Sequence, residues 1–399
     1  MTTLNDGTVD DTVGDVLGDS GAREGGAGEG GLLWFRPPGD EPAVMVPALL
    51  ADSADPAELD PHVRGLRVIG HLLAEGHEAD RIVLDEATGR VFSMYLFEDR
   101  PDLIDVLPLA PSVEALTRYT EAMGQLATTR GRFADFAGRF GEAAVTEATA
   151  RFLSILAEEE WDGGGWGSAG ERKAWDHPLP AFWRIAALIR PLALIAEPGR
   201  GLLLDLPEGL LPAEFGARQV VRFDPAALPA ALVHEPTRRF LLETGLPVDA
   251  SMFTLFREEP VLLTLARYRE RNGPAEGEPD DYPEGMAVPP DRLFSLGWLI
   301  HDTEVVIDGH TGRIHGWTGG RLHPLNADIS TLAFSLWILE RERTLDTTHR
   351  LTDDMYQQLA DTMAAVLPSV DPVACEPTGE KDDWRYWPEV FHDQAGDVL

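Results

Sequence analysis

The feature that most constrains the fold of this chain is a short pattern that occurs twice. Its second occurrence is EVVIDGHTGRIHGW, Glu304–Trp317, where a β-branched run, a turn-forming stretch and an alternating run follow one another. Asp308 can bond forward to the turn backbone, and Gly312 can adopt the positive φ that a loop with a closing bulge requires. The pattern therefore predicts a β-hairpin with strands Val305–Ile307 and Arg313–Trp317.

A capped helix is predicted directly after this hairpin. Pro324-Leu325-Asn326 is followed by Asp328, whose side chain can accept hydrogen bonds from the first backbone amides of a helix. The helix is predicted over Ile329–Arg341, because apolar residues recur on one of its faces. These apolar residues are Leu332, Leu336 and Leu339.

The same unit occurs earlier in the chain. The runs that agree position for position are Val83-Leu84-Asp85 with Val306-Ile307-Asp308, and Thr88-Gly89-Arg90-Val91 with Thr311-Gly312-Arg313-Ile314. Ser112 takes the place of Asp328 as a capping residue, and a helical apolar stripe follows it. Because the agreement covers the turn, the cap and the apolar period together, we expect two homologous domains.

The domain boundaries follow from this repeat and from changes in composition. Residues 1–31 are acidic, rich in glycine and poor in large apolar side chains, so we predict a disordered tail. We place an N-terminal domain at 32–192, a connection at 193–219 and a C-terminal domain at 220–399. The glycine cluster at 163–167 is predicted to be a loop, because no Lys-Ser/Thr pair follows it as in a phosphate-binding loop.

Each domain is predicted to end in a helix, a loop and a cluster of aromatic residues. The aromatic residues are Trp175, Phe182 and Trp183 in the first cluster, and Trp384, Tyr386, Trp387 and Phe391 in the second. One interpretation is a hot spot for a protein partner, since Trp and Tyr dominate such sites. The interpretation that we favour is that each cluster packs the end of its domain onto the core of that domain.

The net charge limits the partners of the protein. Among its 399 residues are 68 acidic and 33 basic side chains, which gives a formal net charge of −35. Nucleic acid is not expected as a direct partner, because binding it requires cations that neutralise phosphates. An acidic surface favours association with a basic protein such as a nuclease, although charge of this kind also serves solubility alone.

Cysteine content and hydropathy bound the location of the protein. A single cysteine, Cys375, excludes an intramolecular disulfide and a zinc site with several cysteine ligands. No apolar run approaches membrane-spanning length, and the first residues lack the order of a signal peptide. We therefore expect a cytoplasmic protein that does not associate with membranes.

The candidates for catalysis and metal binding are weak. Four histidines surround the predicted hairpin: His301, His310, His315 and His323. The first copy has Ala87 and Phe92 where the second has His310 and His315, so a shared metal site is not expected. Cys375 lacks a context that would activate a nucleophile. We predict no catalytic residue, no cofactor and no metal, and the sequence does not assign the residues that bind a partner.

Several motifs of the second half resemble one protein family. These motifs are Thr237-Arg238-Arg239-Phe240-Leu241, Gly245-Leu246-Pro247, the Ile307–Gly312 turn and Pro324-Leu325-Asn326. Their order and spacing resemble the SUKH superfamily, specifically its fourth family of immunity proteins. The resemblance covers Val220–Leu345, and Leu32–Ala127 resembles a degenerate copy with Ala110 in place of the asparagine. It implies an α+β fold of two related SUKH-like domains, each a curved, mainly antiparallel sheet covered by helices.

The resemblance also implies a function. A member of this family is expected to bind a cognate polymorphic toxin, often a nuclease or a nucleic-acid deaminase, and to inhibit it by occluding a basic active-site cleft. The family offers no catalytic residues to carry over. Two alternatives stay open, namely a regulatory adaptor or scaffold, and an enzyme whose unfamiliar site would be a deep pocket with convergent polar groups.

Overall fold

The chain folds into helices that cover two six-stranded antiparallel sheets. The structure is a computed structural model that describes residues 33–35, 44–49, 61–74, 77–96, 104–158, 179–273, 282–375 and 385–395. The predicted α+β class with mainly antiparallel sheets is confirmed. The predicted tail at 1–31, the predicted loop at 163–167, Trp175 and Trp384 lie outside the described residues.

The N-terminal sheet contains the first copy of the repeated pattern. Its strands are β1 (Leu33–Phe35), β2 (Val44–Met45), β3 (Leu66–Ala74), β4 (His77–Asp85), β5 (Val91–Leu96) and β6 (Ile104–Ala110). The strand order is β1-β3-β4-β5-β6, and β2 also pairs with β3. The predicted hairpin of the first copy is β4-β5.

The C-terminal sheet contains the second copy. Two short ladders precede it, β7 (Glu197–Pro198) with β8 (Leu204–Asp205) and β9 (Val220–Val221) with β10 (Leu246–Pro247). The strands of the sheet are β11 (Asp249–Ala250), β12 (Phe253–Leu255), β13 (Leu293–Leu299), β14 (Thr303–Asp308), β15 (Ile314–Thr318) and β16 (Arg321–Asn326). They are arranged in chain order, and the predicted hairpin is β14-β15.

In each half of the chain a long helix comes directly after the last strand of the sheet. In the described part of the chain the α-helices are α1 (Val46–Leu49), α2 (Pro61–Arg64), α3 (Val113–Ala127), α4 (Glu142–Leu156), α5 (Ala181–Ile189), α6 (Leu210–Phe215), α7 (Glu235–Glu243), α8 (Leu265–Asn272), α9 (Ile329–His349), α10 (Thr352–Val370) and α11 (Tyr386–Ala395). None of the helices in the described ranges has both the length and the apolar character needed to cross a membrane.

The last four strands of the two sheets, β3–β6 and β13–β16, share their order and two of their register irregularities. A bulge between Val68 and Gly70 in β3 recurs between Ser295 and Gly297 in β13. A second irregularity, at the start of β5, recurs at the start of β15. Because a bulge moves every later side chain of its strand to the other face, residues at equivalent positions of the two sheets point to equivalent faces.

A layer of helices covers one face of each sheet. In the N-terminal half, α3, α4 and α5 pack on this face against residues such as Ile82 and Val91. In the C-terminal half, α9, α10 and α11 pack against residues such as Val305 and Ile307. We call the opposite face of each sheet its outer face. Helices α1 and α2 lie on the N-terminal outer face, and α8 with residues 282–288 lies on the C-terminal one.

The apolar core of the C-terminal half also contains residues of the N-terminal half. Helix α5 of the N-terminal half packs against α10 of the C-terminal half. Ile185, Ile189 and Leu192 are buried in the same cluster as the residues of the C-terminal sheet. Burial of each such side chain stabilises the folded state by about 1.5–3 kcal/mol. The halves are therefore joined by packing and not only by the connection between them.

Helix α9 differs from the prediction in its length and in its burial. The predicted cap is confirmed, since Asp328 Oδ1 accepts hydrogen bonds from the N–H groups of Ser330 and Thr331 at 2.8 Å and 3.3 Å. The predicted apolar residues Leu332, Leu336 and Leu339 are buried, but the first half of the helix is buried on its other sides as well, since Ser330 and Ser335 are as buried as Leu332. The reason is that β16 packs on one side of α9, whereas α6, α7 and α10 enclose the others.

Candidate functional site

The turn of the C-terminal hairpin is held closed by its own side chains. The carboxylate of Asp308 accepts hydrogen bonds from the backbone N–H of His310 at 3.0 Å and from Thr311 Oγ1 at 2.6 Å. Nε and Nη2 of Arg292 each lie 2.7 Å from one oxygen of the same carboxylate. Burial raises the pKa of Asp308, but the hydrogen bonds from Arg292 and Thr311 outweigh burial and hold the pKa below its usual value. Asp308 is therefore ionised, and its carboxylate holds the turn closed and bonds it to Arg292.

Helix α7 packs directly on this turn. The carbonyl oxygen of Gly309 accepts hydrogen bonds from the N–H groups of Val233 at 2.9 Å and His234 at 3.0 Å. Gly312 has a φ of +76°, and a Cβ at this position would overlap the imidazole of His234. His234 Nδ1 lies 2.8 Å from Oγ1 of Thr237, the first residue of the Thr-Arg-Arg-Phe-Leu motif. This motif therefore serves to seat α7 on the hairpin.

Asn326, the last residue of the Pro-Leu-Asn motif, connects the sheet to three helical segments. Its Nδ2 donates hydrogen bonds to Ser335 Oγ at 3.1 Å and to Asp371 Oδ2 at 3.0 Å. Its Oδ1 accepts a hydrogen bond from Trp387 Nε1 at 3.1 Å. All four residues are buried, and a buried polar network with every member paired rigidifies a core. The motif therefore holds α11 and the end of α10 against the sheet.

The aromatic clusters at the ends of the two halves are buried. Trp387 is fully buried, and Tyr386 and Phe391 are buried beside it. In the N-terminal half, Phe182 and Trp183 are fully buried, and Trp183 Nε1 donates a hydrogen bond to the carbonyl oxygen of Leu109 at 2.6 Å. The interpretation that these clusters pack onto their own cores is confirmed for the residues that the structure describes. The described residues of the two clusters are therefore part of the cores and not of an exposed surface.

The four histidines near the hairpin do not converge. His301 precedes β14 and His310 follows it, so the length of a six-residue strand, about 20 Å, separates them. Burial lowers the pKa of His315 to about 4, so its imidazole is neutral. No group of three or more His, Cys, Asp or Glu side chains among the described residues is arranged to hold a metal ion. Cys375 is half-buried and packs on the C-terminal core.

An aromatic cluster of a different kind lies on the outer face of the C-terminal sheet. It consists of Phe256, Tyr268 and Trp298, all of which are half-buried. The rings of Phe256 and Tyr268 are stacked, with centroids 4.9 Å apart and an interplanar angle of 11°. Trp298 meets Phe256 edge-on with centroids 6.2 Å apart. Partly accessible aromatic rings with a polar end are typical of surfaces that bind another molecule.

A cleft of about 400 Å³ opens beside this aromatic cluster. The chain leaves β12 at Phe256, whose N–H bonds to the carbonyl oxygen of Leu296 at 2.9 Å, and it returns at Leu263, whose carbonyl oxygen accepts from the N–H of Ser295 at 2.9 Å. The loop between these points and helix α8 enclose the cleft. Its apolar lining consists of Leu255, Phe256, Pro260, Leu262, Leu263 and Tyr268.

The mouth of the cleft carries charges of both signs. Arg271 Nη2 lies 3.6 Å from Oε2 of Glu258, and Arg271 Nη1 donates a hydrogen bond to the carbonyl oxygen of Glu259 at 3.2 Å. Arg257 also lines the cleft and is exposed. Opposite charges at the rim screen one another, so orientation of a partner here depends on placed polar groups more than on net charge.

Sequence reasoning did not select Phe256, Tyr268 or Trp298 as binding residues. The repeated pattern contained one signal that Trp298 lies outside the core. Trp298 stands at the position that the polar residue His71 occupies in the N-terminal sheet. Its outward direction depends on the bulge between Ser295 and Gly297, which reverses the alternation expected from the first residues of β13. Without the bulge the residue reads as an inward-facing part of the core.

The C-terminal half is thus an antiparallel α+β domain whose sheet is covered by α9, α10 and α11 on one face and has the cleft on the other. Residues 206–393 match the SUKH-4 immunity protein family. The family predicted from the motifs is therefore confirmed for the second half of the chain. Comparison with curated proteins and with solved structures gives no match.

Proposed function

We propose that this protein confers immunity by binding a cognate toxin polypeptide in the cytoplasm and blocking its activity. The observation that carries the proposal is the match of residues 206–393 to the SUKH-4 immunity protein family. Inhibition results from occlusion, in which a face of the protein covers the active-site cleft of the toxin. The protein acts as a binding partner and catalyses no reaction.

The toxin is proposed to be basic, such as a nuclease or a nucleic-acid deaminase. An enzyme that acts on nucleic acid needs a positively charged cleft, because its substrate carries a phosphate in every nucleotide. The formal charge of −35 accelerates the approach of this protein to such a cleft. Affinity then depends on a few buried aromatic or apolar contacts, since complementary charge mainly increases the association rate.

We also propose that residues 32–192 and 220–399 are two related domains, of which the N-terminal one is a degenerate copy. The shared order of β3–β6 and β13–β16 and the shared positions of two bulges support this proposal. So does the path of the chain beside the sheet. In the N-terminal half Val44 pairs with Val68 of β3, and in the C-terminal half Leu263 bonds to Ser295 at the equivalent position.

Co-expression tests the proposed immunity. The candidate toxins are the polypeptides encoded next to the gene for this protein, each expressed from an inducible promoter in cells that grow with or without this protein. We expect one of them to stop growth alone and to be harmless when this protein is present, and we expect the two chains to co-purify. A protein that co-purifies with its neighbour and leaves growth arrested would be an adaptor. A protein that binds none of the neighbours would end the proposal.

The salt dependence of binding tests the electrostatic part. Between about 50 mM and about 500 mM salt the association rate is expected to fall roughly tenfold. Added salt shortens the Debye length and so screens the attraction between the charges of the two proteins. Stopped-flow fluorescence of the tryptophans measures this rate. An association rate that does not change with salt would show that charge does not guide the encounter.

A further inference from the structure

The cleft on the C-terminal outer face contains a polar group that the shared fold does not require. Ser295 is 1% exposed, and its hydroxyl has no hydrogen-bond partner within the described ranges. Ser295 pairs with Val306, and the equivalent residue of the N-terminal sheet, Val68, pairs with Val83. A buried hydroxyl without a hydrogen-bond partner destabilises the folded state, and valine at this position avoids that cost. We therefore expect this hydroxyl to form a hydrogen bond with a group that binds in the cleft.

The remaining lining of the cleft limits what that group can be. Leu255, Leu262 and Leu263 supply aliphatic walls, and the stacked rings of Phe256 and Tyr268 supply an aromatic one. A volume of about 400 Å³ is at the small end of ligand sites, which favours one large side chain with its flanking backbone. A cation is disfavoured in the interior, because the carboxylate of the lining, Glu258, is exposed at the mouth and already paired with Arg271.

The mouth of the cleft can open without large cost. Arg271 and Glu258 are both exposed, and an exposed ion pair of this kind contributes little to stability. The two side chains can therefore turn aside for an entering group and bind its flanking polar atoms. Asn272, which is also exposed at the mouth, offers an amide in the same place.

We propose, on the basis of the proposed immunity function, that the cleft is the docking site for a tyrosine side chain of the toxin. The ring of the tyrosine packs against Leu262, Leu263 and Phe256, and its hydroxyl forms a hydrogen bond with Ser295 Oγ. Tyrosine combines a large apolar ring with one polar end, which matches an apolar cleft that contains one buried hydroxyl. The aromatic cluster with Trp298 flanks this contact, as partly buried aromatic residues do around an interface hot spot.

The first test uses N-acetyl-tyrosinamide and N-acetyl-phenylalaninamide as probes of the full chain. The methyl resonances of Leu262 and Leu263 are followed by NMR as each probe is added. We expect saturable shifts, with the tyrosine probe binding about fivefold more tightly because of one additional hydrogen bond. Ser295→Val is expected to remove this preference while binding of the phenylalanine probe persists. Equal binding of both probes by the wild-type chain, or no shift with either, would overturn the proposal.

The second test uses the toxin identified by co-expression. Asn272→Trp fills the mouth of the cleft and is expected to weaken toxin binding about thirtyfold or more, as loss of a hot spot does. Arg267→Trp is the control, because Arg267 is exposed on the same helix and does not line the cleft. If the wild-type chain and both variants bind the toxin equally, the docking proposal fails and the immunity proposal stands. If the wild-type chain binds no toxin, the immunity proposal fails, and docking of a toxin tyrosine fails with it.

Discussion

The turns at Asp85 and Asp308 have the same internal hydrogen bonds and different surroundings. Asp85 accepts from the N–H of Ala87 at 2.9 Å and from Thr88 Oγ1 at 2.6 Å, as Asp308 does from its own turn. An added Cβ at Gly89 would meet no atom within 4 Å, whereas at Gly312 it would meet α7. Local sequence is therefore sufficient to form the turn, and distant sequence determines whether the turn becomes a packing surface.

The largest expected effect comes from Asn326→Ala, which introduces the residue that the N-terminal sheet has at this position, Ala110. The free energy of unfolding is expected to fall by about 3–5 kcal/mol, because the substitution leaves Trp387 Nε1 without its buried acceptor and removes the hydrogen bonds to Ser335 Oγ and Asp371 Oδ2. Urea denaturation followed by tryptophan fluorescence measures the loss.

The N-terminal counterpart of this network is smaller and supplies the control. Trp183 donates to the main-chain carbonyl of Leu109, so the indole of this half needs no asparagine. Trp183→Phe is expected to cost about 1–2 kcal/mol, from one hydrogen bond and a small cavity. Equal losses for Asn326→Ala and Trp183→Phe would mean that the Asn326 network contributes no more than a single contact.

The pair Gly312→Ala and Gly89→Ala measures what the packing of α7 adds to the turn. Both glycines have positive φ, of +76° and +74°, so each substitution is expected to cost about 1 kcal/mol for the backbone alone. Gly312→Ala also forces His234 to move, which adds about 1–3 kcal/mol. The same denaturation experiment compares them, and a Gly89→Ala variant as unstable as Gly312→Ala would show that an unrecognised contact covers the first turn.

A smaller effect is expected from Asp80, which stands where the C-terminal sheet has Thr303. Burial, together with the negative charges of Asp361 and Asp105, raises the pKa of Asp80 to about 6. The folded chain therefore holds this proton more tightly than the unfolded chain, and stability falls as the pH rises from about 4 through about 6. Asp80→Thr is expected to raise the free energy of unfolding by about 1–2 kcal/mol at pH 8 and to have little effect at pH 4. A benefit that is the same at both pH values would contradict a role for ionisation.

The parts of the fold that could be predicted are those set by neighbours in sequence. The hairpin at Asp308 and the cap at Asp328 depend on side chains that bond within three residues, and both are present. The burial of α9 on all sides could not be predicted from its own period, because α6, α7 and α10 come from elsewhere in the chain. Nor could the sequence explain why the N-terminal half has Ala110 where the C-terminal half has Asn326. The acceptor for the buried tryptophan is a main-chain carbonyl in the N-terminal half, that of Leu109.

The cleft was beyond sequence reasoning for a similar reason. It exists because the chain leaves β12 at Phe256 and returns to pair with β13 at Leu263, so residues on either side of a loop and of a bulge meet. Only the strand register, which places Ser295 between Leu263 and Val306, shows that the hydroxyl of Ser295 is buried and unpaired within the described residues.

The measurement that tests the central claim most directly is a titration of toxin activity with this protein. The activity of a fixed amount of the toxin is followed on its own substrate as increasing amounts of the purified chain are added. An inhibitor that works by occlusion lowers the activity in proportion to the chain added and abolishes it at about one chain per toxin, at every incubation time. Activity that survives an excess of the chain, or that is lost progressively with time at a small fraction of one equivalent, would contradict the account.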